Sequence, residues 1–214
     1  MKIVVKNLVK EFKRNRVLND VNMTMKSGNI YGFVGRNGSG KSVFLKILCG
    51  LYQPTSGTVL YDDVDIFEKD LFPPNTRALI EKPGFISDLT GFENLELLAS
   101  IQEKIGSKEI EAALESVNML AEKDKKFGKY SLGMKQKLGI AQVLMEDPQV
   151  LILDEPLNGV EEKTAEKIRK KLRAEKEKGK LIIIASHIKE DIETLANIVY
   201  EFDAGNVRMT KKDE

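Results

Sequence analysis

Apolar and polar positions alternate along the start of the chain. Ile3 and Val5 stand between polar neighbours, and Val21, Met23 and Met25 repeat the period of two, the pattern of strands with one buried face. Asn15-Arg16 and Ser27-Gly28-Asn29 read as turns. Residues 2–34 are therefore expected to form two or three strands, an antiparallel layer beside a buried strand at Ile30 to Val34. Val43 to Leu51 follows with helical spacing and ends near Gly50. After the turn-rich Tyr52 to Gly57, Thr58 to Tyr61 is expected to rejoin the antiparallel layer. Ala78 to Ile80 is a short strand ending at Glu81, because Lys82-Pro83-Gly84 can neither continue a strand nor open a helix cleanly.

From about Thr90 to Glu146 the period becomes helical. Leu95, Leu98, Ala99 and Ile101 form one apolar stripe, and Ile110, Ala113, Leu114, Val117 and Leu120 a second. Gly106-Ser107 separates them, with Ser107 the expected N-cap. Val150 to Leu153 and Leu181 to Ser186 are continuous apolar runs, as parallel strands buried on both faces are. Between them a charged helix is expected over about 161–178, with Ala165, Ile168 and Leu172 inward, a Glu166–Lys170 pair outward and Gly179 as its stop. Ile198 to Phe202 and Val207 to Met209, joined at Asp203 to Asn206, read as a hairpin with a polar tail.

One stretch in this pattern carries chemistry directly. Gly35-Arg36-Asn37-Gly38-Ser39-Gly40-Lys41-Ser42 fits G-x-x-x-x-G-K-[ST], and it lies between a predicted strand and a predicted helix. Amides of such a loop point at anionic oxygens and the helix N-terminus adds partial positive charge. Lys41 is placed to reach the β and γ phosphates of a nucleotide, and the Ser42 hydroxyl to ligate Mg²⁺. The strand at 150–153 ends in Asp154-Glu155, on the strand-end side where α/β proteins bind ligands. Asp154 can hold Mg²⁺ directly or through water, and Glu155 can be the general base for an attacking water; otherwise both acids cap the following helix. His187, the single histidine, ends the next strand; it can donate to a γ-phosphate or orient the water. Phe12 reads equally as a core aromatic and as a platform for a purine ring.

Composition narrows the setting more than the function. The chain has 214 residues, 42% hydrophobic and 31% charged, with a net charge of +1. These are globular values with no basic field for nucleic acid or an anionic membrane. One cysteine, Cys49, excludes an internal disulfide and reads as a small core residue. No apolar run approaches a membrane span, and Met1 to Lys6 does not read as a signal peptide. The expectation is a cytoplasmic protein whose membrane work, if any, is done through a partner.

The stretch Tyr130-Ser131-Leu132-Gly133-Met134, ahead of the Asp-Glu strand and opening a helix, separates the P-loop families. Here the chain resembles the ATP-binding-cassette ATPases, whose Leu-Ser-Gly-Gly-Gln signature matches at Ser131 and Gly133. P-loop, signature, Asp154-Glu155 and His187 stand in that family's order, and the resemblance covers the whole chain. It implies an α/β fold: a P-loop NTPase with a RecA-like, mostly parallel core sheet, an N-terminal antiparallel β layer and a helical insert. One cassette domain would span 1–214, with 1–89 and 147–214 as nucleotide-binding core and 90–146 as helical subdomain. It also implies ATP and Mg²⁺ as cofactors, with ATP sandwiched between one P-loop and the signature of a second, head-to-tail cassette. Glu155 then matches the general base, His187 the γ-phosphate contact and Phe12 the adenine platform, with Val17 beside it. Ser131, Gly133 and Met134 would face the partner's nucleotide.

The chain departs from that pattern at several positions. Glu81 stands where the family has Gln, and could ligate Mg²⁺ while adding negative charge beside ATP. Val43 replaces Thr, keeping an amide for the α-phosphate but losing a hydroxyl. Glu161 replaces Asp, and Met134 replaces a hydrogen-bonding Gln. These changes imply a working but slow ATPase. Ile80 to Phe85, Thr90 to Leu95 and Tyr130 to Met134 together resemble the branch that exports bacitracin- or lantibiotic-type peptides. The implied function is the ATPase subunit of a transporter, at the inner face of the membrane, driving a separate transmembrane permease that docks between Glu81 and about Asn94. Two other readings are a soluble cassette acting on ribosomes or DNA, and a module that holds ATP without turnover. The chain has neither a second cassette nor a long coiled-coil insertion, which disfavours the former, and Lys41, Asp154, Glu155 and His187 disfavour the latter.

Overall fold

In the computed structural model, which describes residues 1–212, the early alternation becomes a four-stranded antiparallel sheet. Strands β1 (Lys2–Phe12) and β2 (Asn15–Lys26) pair as a hairpin, and β4 (Ser56–Tyr61) and β5 (Val64–Asp65) complete the order β2-β1-β4-β5. Between them in sequence, β3 (Asn29–Val34) leaves this layer for a second sheet and runs through the phosphate-binding loop into α1 (Lys41–Leu48). The six-stranded sheet has the order β10-β9-β3-β8-β7-β6. Its members are β6 (Thr76–Leu79), β7 (Val150–Asp154), β8 (Leu181–Ser186), β9 (Ile198–Asp203) and β10 (Asn206–Lys212). All neighbours run parallel except β9 and β10, which form the expected hairpin. Of the polar tail expected after Met209, Thr210 to Lys212 instead continue β10, and 213–214 lie outside the described residues.

Side-chain alternation sends the central strands into two cores, one on each face. Leu151, Leu153, Ile182 and Ile184 face one, and Val150, Ile152, Leu181 and Ile183 the other. The second core fills the space between the two sheets together with Phe33, Phe44 and Phe202, whose rings meet at a tilt with centroids 5.1–5.6 Å apart. The first is shared with the helical segment: α2 (Gly91–Ala99), α3 (Ser107–Ser116) and α4 (Leu132–Leu144) contribute Leu95, Leu114 and Leu138. It also receives Ile168 and Leu172 of α5 (Glu162–Glu177) and Ile192 of α6 (Lys189–Leu195).

Several local expectations are corrected. The first turn is Lys13-Arg14, not Asn15-Arg16, because Phe12 pairs with Asn15 and Lys13 takes φ +55°. Helix α2 stops at Ala99, so Ile101 lies beyond the stripe and is 74% exposed. Helix α3 is capped at Gly106 rather than Ser107, since Glu109 accepts from the Gly106 amide at 2.9 Å. Glu166 pairs with Arg169 and Arg173 rather than with Lys170. Helix α6 was not expected at all.

Candidate active site

The carboxyl ends of β3, β7 and β8 lie side by side, which brings Gly35–Ser42, Asp154-Glu155 and His187 together although they are far apart in sequence. The loop wraps the start of α1 at Gly40, where φ is +106° and a side-chain Cβ would stand 2.9 Å from the Val17 carbonyl oxygen, so any other residue would be strained. A cavity of about 480 Å³ opens above it, lined by Val17, Gly38 to Val43, Asp154 and Glu155.

Within this cavity the charges are already arranged. Lys41 is only 6% exposed and donates to the Gly35 carbonyl at 2.5 Å and the Arg36 carbonyl at 3.2 Å. Burial lowers its pKa, opposed by the charges of Glu155 and Asp154. The Ser42 hydroxyl donates to Asp154 Oδ2 at 2.6 Å. Burial raises the Asp154 pKa against that hydrogen bond, and the neighbouring Glu155 raises it further. A cation would relieve this strain, and a hydroxyl with one carboxylate is the partial oxygen set that Mg²⁺ completes with phosphates and water. Ser39 is buried and its Oγ has no hydrogen-bond partner among the described residues; an anionic oxygen seated in the loop would satisfy it. The residues present therefore fit a magnesium–nucleotide.

Glu155 is held from several sides. Its φ of +49° is a left-handed conformation, which costs a non-glycine residue on the order of 1 kcal/mol or more. The surroundings impose it. The Glu155 amide donates to the Ala185 carbonyl at 2.8 Å. Its carboxylate accepts from the His187 amide at 2.9 Å, faces His187 Nδ1 at 2.8 Å and accepts from Ser186 Oγ at 3.2 Å. A second cavity of about 510 Å³ joins Asp154, Glu155 and His187 to Asn37, Glu81 and Gln136.

Of the remaining predicted residues, Val17 and Val43 line the first cavity and Glu81 the second, whereas Phe12, Ser131, Gly133 and Met134 line neither. Glu81, just past β6, takes φ +61° and forms an ion pair with Lys46 at 2.5 Å, so its carboxylate has a protein partner near the metal position. Phe12 is 39% exposed and packs edge-on against Tyr52 at 5.6 Å, with Lys10 4.7 Å from its ring centre. Ser131 caps α4 by accepting from the Met134 amide at 3.3 Å. Gly133 lies so close to Gly159 that a side chain would stand 2.3 Å from its carbonyl oxygen. Met134 packs on the helical core, and none of Ser131, Gly133 and Met134 lines the cavity of its own loop. Sequence reasoning missed Lys46 and Gln136. Lys46 carries a faint signal, since it follows Ser42 by one helical turn on the same face of α1.

Comparison with known proteins agrees with this geometry. Residues 18–158 match the sequence pattern of the family described as ABC transporter. A bacitracin transport ATP-binding protein of Enterococcus faecalis is 40% identical over 207 residues, 96% of this chain and 67% of that protein. A lantibiotic transport ATP-binding protein of Streptococcus pyogenes is 32% identical over 208 residues, 97% of this chain and 90% of its own. These are the kinds of transporter whose branch the motifs around Glu81 and Tyr130 resemble. Among solved structures, a dimeric bacterial ABC transporter cassette superimposes with a TM-score of 0.89 at 25% identity, covering 99% of both chains. The chain belongs to the ABC transporter family, as an ATP-binding and ATP-hydrolysing cassette that works with Mg²⁺.

Proposed function

We propose that this chain powers the export of a peptide-type or drug-type substrate through a separate membrane-spanning partner, acting from the cytoplasmic face as one of two paired cassettes. The bacitracin and lantibiotic relatives support the substrate class. No helix among the described residues is long and apolar enough to cross a membrane, so in this reading the span belongs to the partner. The groove between Glu81 and Asn94, next to β6 and α4, offers the partner a surface that touches both the nucleotide cavity and the helical segment. Residues 90–146 act as a helical arm on a core made of 1–89 and 147–214, with one continuous apolar cluster to carry movement between them.

In this reading the loop amides from Gly35 to Val43, with Arg36, Asn37 and Ser39 among them, cradle the phosphates, and Lys41 turns from its loop carbonyls to the β and γ oxygens. Ser42 and Asp154 would hold Mg²⁺, with Glu81 as an added carboxylate when it leaves Lys46, and the ion bound there would supply positive charge against the transferred phosphoryl group. Phe12 stacks on the adenine and Val17 packs beside it. Glu155 takes the proton of the attacking water, and His187 holds that carboxylate while reaching toward the γ-phosphate. Ser131, Gly133 and Met134 of the second cassette close over the nucleotide at their helix N-terminus.

The observation that carries the reading is the Glu155–His187 pair at 2.8 Å beside the Ser42–Asp154 hydrogen bond at 2.6 Å. Glu155→Gln keeps the shape and removes the base, so turnover should fall about 100-fold or more while ATP-dependent dimers accumulate in light scattering. Unchanged turnover would remove Glu155 as the base. Co-purification should recover a membrane protein with several spans; ribosomes or DNA in its place would redirect the reading.

A further inference from the structure

Helix α4 grips the loop from Glu155 to Glu161 at three points. Gln136 Nε2 donates to the Glu155 carbonyl at 2.8 Å. Gly133 lies against the Gly159 carbonyl. Lys137 Nζ reaches Glu161 Oε1 at 3.2 Å. Gln136 and Lys137 are both buried, 7% and 6% exposed, whereas Glu161 is exposed. The Asn158 amide also reaches the Glu155 carbonyl, at the longer distance of 3.2 Å.

The position of this contact matters because of the backbone it fixes. A left-handed glutamate persists only where its surroundings over-determine it. Here the amide is tied to β8, the carboxylate to Ser186 and His187, and the carbonyl to α4. Of these restraints, Gln136 alone comes from the helical segment. The same helix begins at Ser131, whose side chain caps it.

We propose that Gln136 is a positioning residue for Glu155, so that the helix presenting Ser131 to the second cassette's nucleotide also aims the general base of its own site. The inference rests on the reading of Glu155 as base and of Ser131 as a contact made across the pair. Gln136 donates to the Glu155 carbonyl; it acts through the backbone of Glu155. Gln136 stands little more than one turn from the Ser131 cap, so formation of the pair at the start of α4 is felt at the base close by, and each cassette hydrolyses its own ATP in a geometry that depends on the nucleotide held by its partner.

The test uses Gln136→Met, which keeps length and helix propensity but loses the donor, and Gln136→Glu, which sets an acceptor against the carbonyl. Steady-state ATPase assays of the full chain should show kcat lowered at least tenfold, with the KM for ATP within about twofold, because the phosphate loop is untouched. In the nucleotide-free chain, amide hydrogen exchange over 155–159 should speed at least tenfold while β1 and β2 remain protected. Wild-type kcat with wild-type exchange in either soluble variant overturns the proposal, as does a loss in which KM rises in step with falling kcat or protection is lost throughout the chain. Glu155→Gln run in parallel separates the two claims. If that variant turns over normally the base is elsewhere, whereas exchange at 155–159 still reports whether Gln136 anchors the loop.

Discussion

Replacing Glu175 with Gln tests how the end of the sheet opposite the nucleotide is held. Glu175, in the last turn of α5, is 2% exposed and surrounded by Lys171 at 2.8 Å, Lys178 at 2.9 Å and Lys180 at 2.5 Å. Lys180, itself buried, also pairs with Asp147 and leads directly into β8. Burial works to raise the carboxyl pKa, but hydrogen bonds from Lys171, Lys180 and Lys178, with the Lys180 charge, lower it from 4.5 to about 2. A drop of about 2.5 units, at about 1.36 kcal/mol per unit, makes the ionised group contribute about 3 kcal/mol to stability. Gln has the shape of the protonated acid, so Glu175→Gln should cost nearly that much at neutral pH. Because the folded pKa lies below the unfolded one, the contribution is complete above about pH 5 and is lost as pH falls through 4.5 toward 2. Denaturant unfolding of both proteins should therefore show a gap of about 3 kcal/mol at pH 7 that shrinks to about half by pH 3. A gap below about 1 kcal/mol at pH 7, or one that does not change with pH, refutes the reasoning.

Two further outcomes bear on the surface proposed for the partner. Asn94 accepts from the Ile86 amide at 2.8 Å and donates to the Ile86 and Thr90 carbonyls at 3.0 and 2.8 Å; Asn94→Ala should cost about 1–3 kcal/mol and speed limited proteolysis between 84 and 90, and an unchanged cleavage rate would show that the segment is held by other contacts. Glu81→Gln removes an exposed ion pair with Lys46, so stability should move by less than about 1 kcal/mol, while the Mg²⁺ concentration for half-maximal ATPase should rise several-fold; an identical metal titration would remove Glu81 as a ligand.

The catalytic elements were legible in sequence because each is short and local. A strand, a glycine loop and a helix are contiguous at 30–48, and each of the other two site elements is a polar residue or pair ending an apolar run. Contacts between elements were not legible in this way. Gln136 reads as an ordinary helix residue until α4 is laid beside β7, and Lys46 as a solvated lysine until the end of β6 places Glu81 opposite it. The boundary errors have the same origin. Ile101 continues the apolar spacing of α2, but the helix ends at Ala99 and leaves it outside. Asn15 is the better turn residue by type, yet cross-strand pairing from Lys2–Lys26 to Phe12–Asn15 leaves the reversal to Lys13-Arg14.

The place of β3 in the sheet has a consequence for how the chain is made. Asn29 pairs with Leu181 and Tyr31 with Ile198, so the strand that launches the phosphate loop borders only strands from the far end of the sequence. During synthesis β1 and β2 can pair at once, but β3 has no sheet to join until β8 and β9 have emerged. Its apolar side chains must wait unpaired through the helical segment, an interval open to aggregation or chaperone capture. The nucleotide pocket is thus among the last features to form, and ATP can favour the finished fold by mass action but cannot template its early stages.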